Sequence, residues 1–169
     1  MALAIFDLDD TLINGDSASL FLQFLVQEGI ASADLLEQEA GLMQAYHQGS
    51  MLMEDYMALT LQVLRGYSTA EVDGWVAAFI ERTIAPRVYV AAREALKKHR
   101  QAGDRVLIIS ATGEHIVGPI ARFLGVDDFL AINLVAKEGH YTGQTRGVLT
   151  YQQGKVQRLL GCCKSRMKI

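Results

Sequence analysis

The chain has little of what marks several specialised classes of protein. Its two cysteines, Cys162 and Cys163, are adjacent, a spacing that suits neither a disulfide framework nor an ordinary zinc site. No apolar run reaches the length of about 20 residues that a membrane-spanning helix needs. The amino-terminal stretch has no basic region and is interrupted at Asp7, so it does not read as a secretory signal. A net charge of -3 and an isoelectric point near 5.8 leave no electrostatic footprint for nucleic acid. The most basic run, Lys97-Lys98-His99-Arg100, reads as the solvated end of a helix, where cations suit the dipole. No repeat or low-complexity segment stands out. The expectation is a cytoplasmic protein without nucleic-acid or membrane partners, its oligomeric state left open.

What is present points to a packed domain. The chain has 169 residues, and 50% of them are hydrophobic, enough for one substantial core. Ala2 to Phe6 is a short apolar run of the kind buried on both faces of a sheet. Asn14-Gly15-Asp16-Ser17 reads as a turn and a helix cap. From Ser17 to about Thr83 the pattern is helical, broken at Gly29, Gly49 and Gly66, with Ser68 or Thr69 and Glu71 as capping candidates for the last helix of the block. Met43, Tyr46, Met53, Tyr56, Met57, Trp75 and Phe79 recur there at helical spacing. Core packing accounts for most of them, and a pocket for a minority. Pro86 is expected to open a helix closed by Gly103. "RVLIIS" follows as a second buried strand, then "TGEHIVGPIARFLG" as a helix that Pro119 should kink or delay. Asp127-Asp128 leads into extended chain with a hairpin turn at Glu138-Gly139, and "GKVQRLLG" starts a last helix. Strands separated by helices imply an α/β fold: a parallel, Rossmann-like sheet with helices on both faces and an inserted all-helical block.

In such sheets ligands bind beyond the carboxyl ends of the strands. Asp7 and Ser110 each end an apolar run, so both belong to that rim. Asp7 and Asp9 share parity along an extended chain and can face one cleft. Clustered carboxylates are costly unless a cation offsets them, and a hard ion such as Mg²⁺ takes oxygen ligands and leaves room for a phosphate. Ser110 offers a hydroxyl, Thr112 and Gly113 the amides of a helix start, and Lys155 a positive charge near a second helix start. Acids, a metal, amide donors and a lysine suit phosphoryl transfer. Each feature taken alone has a plainer reading. The acidic string could be a turn with an N-cap, Ser110 a strand-end residue, Lys155 a helix-surface lysine and Asp10 a solvated side chain. His47, His99, His115 and His140 have no spacing that suggests a metal site.

Asp7-Leu8-Asp9-Asp10-Thr11 resembles the first motif of the haloacid dehalogenase superfamily of phosphatases. "VLIISAT" is similar to the second motif, and Lys155 in "GKVQRL" is placed like the third-motif lysine. The helical block resembles the cap of the subfamily containing phosphoserine phosphatases. "SATGEHIVGPIARFLGV" and "GHYTG" resemble stretches of its histidinol-phosphatase-like members. The resemblance implies a core of residues 1–15 and 85–169 and a cap of residues 16–84. It implies an enzyme acting on a small phosphorylated metabolite, with Asp7 as nucleophile and Asp9 as general acid and base oriented by Thr11. Asp10, Thr11, Ser110, Ala111, Thr112 and Lys155 would hold phosphate. Mg²⁺ would bind the Asp7 side chain and the Asp9 carbonyl.

Two departures qualify this. The family's fourth motif, a strand ending in paired acids, has no counterpart, since no Asp or Glu follows Glu138. Residues 161–169 read as the altered or trimmed end of a longer ancestor, which would leave a weakened metal site and an exposed sheet edge. In the cap, Asp16 falls near the glutamate with which phosphoserine phosphatases hold their substrate. The arginine that grips the serine carboxylate is missing: Thr60 or a neighbour takes its place, and Arg65 lies about a turn late. Phosphoserine therefore ranks below other small phosphomonoesters, histidinol phosphate among them.

Overall fold

The expected alternation of strand and helix is present in the computed structural model, which describes residues 2–126 and 128–166. Strand β1 (Leu3–Phe6) is followed by four helices: α1 (Ser17–Gln27), α2 (Asp34–His47), α3 (Met53–Gln62) and α4 (Thr69–Phe79). A π-helical turn at Ile80–Ile84 and a 3-10 turn at Ala85–Arg87 lead to α5 (Val90–Gln101), β2 (Arg105–Gly113) and α6 (Glu114–Phe123). The hairpin β3 (Asp128–Lys137) and β4 (His140–Arg146) precedes α7 (Gln153–Arg166). Among the described residues the sheet order is β1-β2-β3-β4. The first three strands are parallel and β4 runs antiparallel to β3. Glu138 and Gly139 both take positive φ (50° and 75°), the geometry of a tight hairpin turn. Asp128 opens β3, while Asp127 lies outside the described residues. No described helix is long and apolar enough to cross a membrane.

Local signals explain the helix starts. Asp16 caps α1 by accepting from the Ser19 amide. Ser68 and Glu71 close a reciprocal capping box on α4. The helical block shares one apolar core with the sheet. Phe21, Phe24 and Phe79 meet with centroids 5.1 to 6.3 Å apart, and Phe21 also lies 5.8 Å from the His115 ring on α6. Glu39, buried on α2, accepts from Ser19 on α1 and Tyr56 on α3 and so ties three helices together. The two connectors between block and sheet pair with each other. Ile13 bridges Val88, and the amides of Asn14 and Tyr89 donate to Arg87 and Leu12.

That pairing corrects one expectation. Pro86 sits in the 3-10 turn, and α5 begins only at Val90, because Val88 and Tyr89 are drawn into extended chain beside Leu12–Asn14. A second correction concerns β1, which is not buried on both faces: Leu3 and Ile5 are 41% and 42% exposed. Phe6 packs on His99 of α5, and Phe129, on the same face two strands away, packs on Gly118 of α6. Helix α7 covers the opposite face over β2 and β3, leaving β1 at the edge. Helix α6 starts at Glu114 without delay, with Pro119 inside it.

Phe79 is fully buried at the centre of the three-ring cluster. Phe79→Ala should cost about 3–5 kcal/mol in stability, read as a shift in the urea midpoint at unchanged slope.

Candidate active site

The carboxyl end of β1 breaks into a tight turn around Leu8. Its carbonyl accepts from the amides of Thr11, Leu12 and Ile13, and its side chain is fully buried. Asp10 takes the left-handed region (φ 51°), and its carboxylate accepts from the Gly15 amide, closing the loop. Asp7 and Asp9, on either side of Leu8, line one cavity of about 430 Å³. The Asp7 carboxylate accepts from its neighbour's amide at 2.8 Å and from Lys155 Nζ at 2.7 Å. Asp9 points inward. Its Oδ1 accepts from the Ser17 amide at 2.8 Å, and its Oδ2 accepts from Thr112 Oγ1 at 3.1 Å and Ser110 Oγ at 3.3 Å. Ser17 Oγ donates in turn to Thr112 Oγ1.

Thus β1, the start of α1, the end of β2 and the start of α7 converge on two carboxylates. Lys155 arrives through a crowded turn. Gln152 has φ of 45°, and a Cβ on Gly154 would collide with the Leu149 carbonyl oxygen. Only glycine lets the chain pass there and enter α7 with Lys155 facing Asp7. A second glycine, Gly113, is required for a similar reason: a Cβ there would lie 2.6 Å from His115 Nδ1. His115 is buried and held neutral, its pKa pushed down to about 3 by loss of solvent. It is therefore a packing residue.

Burial first, and the neighbouring Asp16 charge second, raise the Asp9 carboxyl from 3.8 to about 6; the bonds from Ser17 and Thr112 oppose this. Asp9 thus keeps its proton to a higher pH than an ordinary carboxylate. Burial and the Asp16 charge likewise push the Tyr56 hydroxyl upward.

Of the residues singled out in the sequence, Asp7, Asp9, Asp10, Asp16, Ala111, Thr112 and Lys155 line the cavity. Ser110 is fully buried beneath it as a partner of Asp9, because β2 continues past it to Gly113. Thr11 is exposed, and the bonds that orient Asp9 come from Ser17, Ser110 and Thr112. Ser17 was missed; its signal was its place directly after a capping aspartate at a helix start. Met43, Tyr46, Met53 and Tyr56 are the methionines and aromatics singled out in the helical block that the cavity claims, joined by Met51, His47 and, from the sheet side, Tyr151. Arg65 is not in its lining and packs beside Gly143 on the hairpin.

Two outcomes follow. Between about pH 4 and 6 the folded protein holds an Asp9 proton that the unfolded chain has released, so stability falls as pH rises through that window and is level above it. In metal-free buffer, Asp9→Asn should therefore melt higher than the parent at pH 8, by about 1–3 kcal/mol, and lose that advantage at pH 4. Gly154→Ala should destabilise by about 1–3 kcal/mol through overpacking, measured in the same melts.

A profile of haloacid dehalogenase-like hydrolases matches residues 4–168. A histidinol-phosphatase of Neisseria meningitidis serogroup C (strain 8013) is 33% identical over 159 residues, covering 93% of this chain and 72% of the relative. A phosphoserine phosphatase of Mycobacterium tuberculosis (strain ATCC 25618 / H37Rv) is 28% identical over 163 residues, covering 91% of this chain but 51% of the relative. The chain thus spans about half the length of that mycobacterial protein. A crystal structure from Bordetella pertussis Tohama I, of a protein of unknown function, superposes with a TM-score of 0.87 at 32% identity, covering 94% of this chain and 72% of that one. A phosphoserine phosphatase structure shares the fold, with a TM-score of 0.68 at 21% identity over 98% of this chain and 72% of its own. The chain belongs to the haloacid dehalogenase-like hydrolase family.

Proposed function

We propose that the protein hydrolyses a small phosphomonoester through an aspartyl-phosphate on Asp7. Residues 16–84 would act as a cap over a catalytic core of residues 1–15 and 85–169. The observation that carries this reading is the bond from Lys155 Nζ to Asp7 at 2.7 Å, in a cavity that also holds Asp9. Lys155 offsets the charge of the Asp7 carboxylate and would pair with a phosphate oxygen beside it. An Asp7 oxygen attacks phosphorus while the bond to the alcohol breaks, and Asp9 gives its proton to the departing oxygen. Asp9, now ionised, takes a proton from the water that attacks the acyl-phosphate. Inorganic phosphate leaves and Asp7 is restored. Ala111 and Thr112 line the same cavity at the end of β2, where the phosphate would lie; the Thr112 amide itself is taken by Ser110 Oγ.

The residues present fit a magnesium ion held by two protein oxygens, the Asp7 carboxylate and the Asp9 main-chain carbonyl, since Mg²⁺ keeps several waters and accepts phosphate oxygens. Bound there, it would neutralise charge on the phosphate. Asp7 is 44% exposed and can accept such a ligand. Among the described residues no set of three or more His, Cys, Asp or Glu side chains gathers to hold a metal. That observation favours a second reading, in which the chain binds a phosphorylated ligand or partner with little turnover.

Asp16 shares the cavity with Asp7 and suits a protonated amine, while no arginine is present in the lining to pair with a carboxylate. The named activity of the Neisseria relative and this charge pattern together favour histidinol phosphate over phosphoserine.

The test is phosphate release with and without Mg²⁺. The parent should be stimulated by the ion, and Asp7→Asn should lose about a thousandfold or more in kcat. Equal rates in the two proteins would defeat the proposal. Calorimetric binding of a phosphate ester without turnover would establish the second reading instead.

A further inference from the structure

Two tyrosines at the candidate site have no part in the chemistry proposed above. Tyr46, near the end of α2, and Tyr151, on the segment before α7, meet with ring centroids 6.3 Å apart and planes inclined by 51°. The contact joins the helical block to the sheet side of the cavity, and both rings line the space that holds Asp7 and Lys155. The Tyr151 main chain is fixed by bonds to Leu149 and from Gly154, in the same turn that delivers Lys155. Met43, Met51 and Met53 line the helical side of this space, and thioethers pack favourably on aromatic rings and adapt to a ligand's outline. Core packing does not account for Tyr46, which is 41% exposed whereas Tyr56 and Met57 of the same block are 6% and 4% exposed; Tyr151 packs against the edge of the core and is only partly buried. An aromatic pair open to a cavity offers a large rigid surface that gains most from covering a flat group.

We propose that Tyr46 and Tyr151 are specificity-determining residues that hold a flat, unsaturated ring in the alcohol portion of the phosphate ester, opposite the phosphate end at Asp7 and Lys155. The inference rests on the phosphatase reading and adds to it the class of leaving group. Esters of small open-chain alcohols leave the pair uncovered. A ring that carries positive charge gains further from the tyrosine faces and from Asp16 on the same cavity. The imidazole of histidinol phosphate meets the description.

Phosphate release is measured with Mg²⁺ on histidinol phosphate, phosphoserine and glycerol 2-phosphate, for the parent, Tyr46→Ala, Tyr46→Ala with Tyr151→Ala, and Tyr46→Phe with Tyr151→Phe. The parent should favour the ring ester in kcat/KM by about tenfold or more over both others. The alanine variants should collapse that ratio, chiefly through KM, and the phenylalanine pair should keep it. The single variant at half-exposed Tyr46 serves if the double variant fails to fold. An unchanged ratio in the alanine variants, or no preference in the parent, overturns the proposal. If no ester is hydrolysed by any of these proteins, the phosphatase reading fails, and calorimetric titration of histidinol phosphate and phosphoserine decides the tyrosine pair alone. Tighter binding of the ring ester that is lost in Tyr46→Ala sustains it. Equal binding, or none, overturns it.

Discussion

Three carboxylates within four positions repel one another, and the structure must offset that repulsion before the end of β1 can hold its shape. It does so by giving each acid a different environment. Asp7 stays partly exposed and takes the ammonium of Lys155 from the far end of the chain. Asp9 turns inward to three donors from α1 and β2, and burial raises its pKa. Asp10 closes its own loop. The division depends on Leu8, whose buried side chain and triply bonded carbonyl anchor the turn between the two carboxylates that face the cavity. Two carboxylates thus sit two residues apart in unlike surroundings.

The helical block does more than cover this rim. It is inserted between β1 and β2, and its connectors pair at Ile13 and Val88. Its first helix begins with the Asp16 cap and the Ser17 amide that binds Asp9. The residue that starts the block is therefore also part of the site. Its Phe21, Phe24 and Phe79 cluster fixes it to the sheet domain through a common core. Its methionines and tyrosines line the cavity shared with Asp7 and Lys155.

Much of this was legible in the sequence, for physical reasons that also mark the limits. Strand and helix periodicity, the Asp16 and Ser68 caps and the Glu138-Gly139 turn are local signals, and the structure contains them. The acidic string, the second strand and Lys155 are brought to one place as the strand-end argument requires. What failed was what depends on tertiary neighbours. An apolar run does not reveal whether a helix covers it, so the exposed face of β1 was hidden. Pro86 favours a helix start, but pairing of residues 87–89 with Leu12–Asn14 overrode it. Ser110 ends the apolar run, yet β2 runs on to Gly113, so its hydroxyl serves Asp9 from beneath the cavity. Periodicity could not divide the methionines and aromatics between core and pocket, because both lie on buried faces of the same helices.

The central claim is that Asp7, paired with Lys155, accepts phosphorus. The most direct measurement is acid quenching of the protein during turnover of a ³²P-labelled phosphate ester, followed by peptide mapping of the label. The account predicts acid-stable, base-labile label on the peptide that contains Asp7. Phosphate release with label on another residue, or with no labelled protein at all, would contradict it.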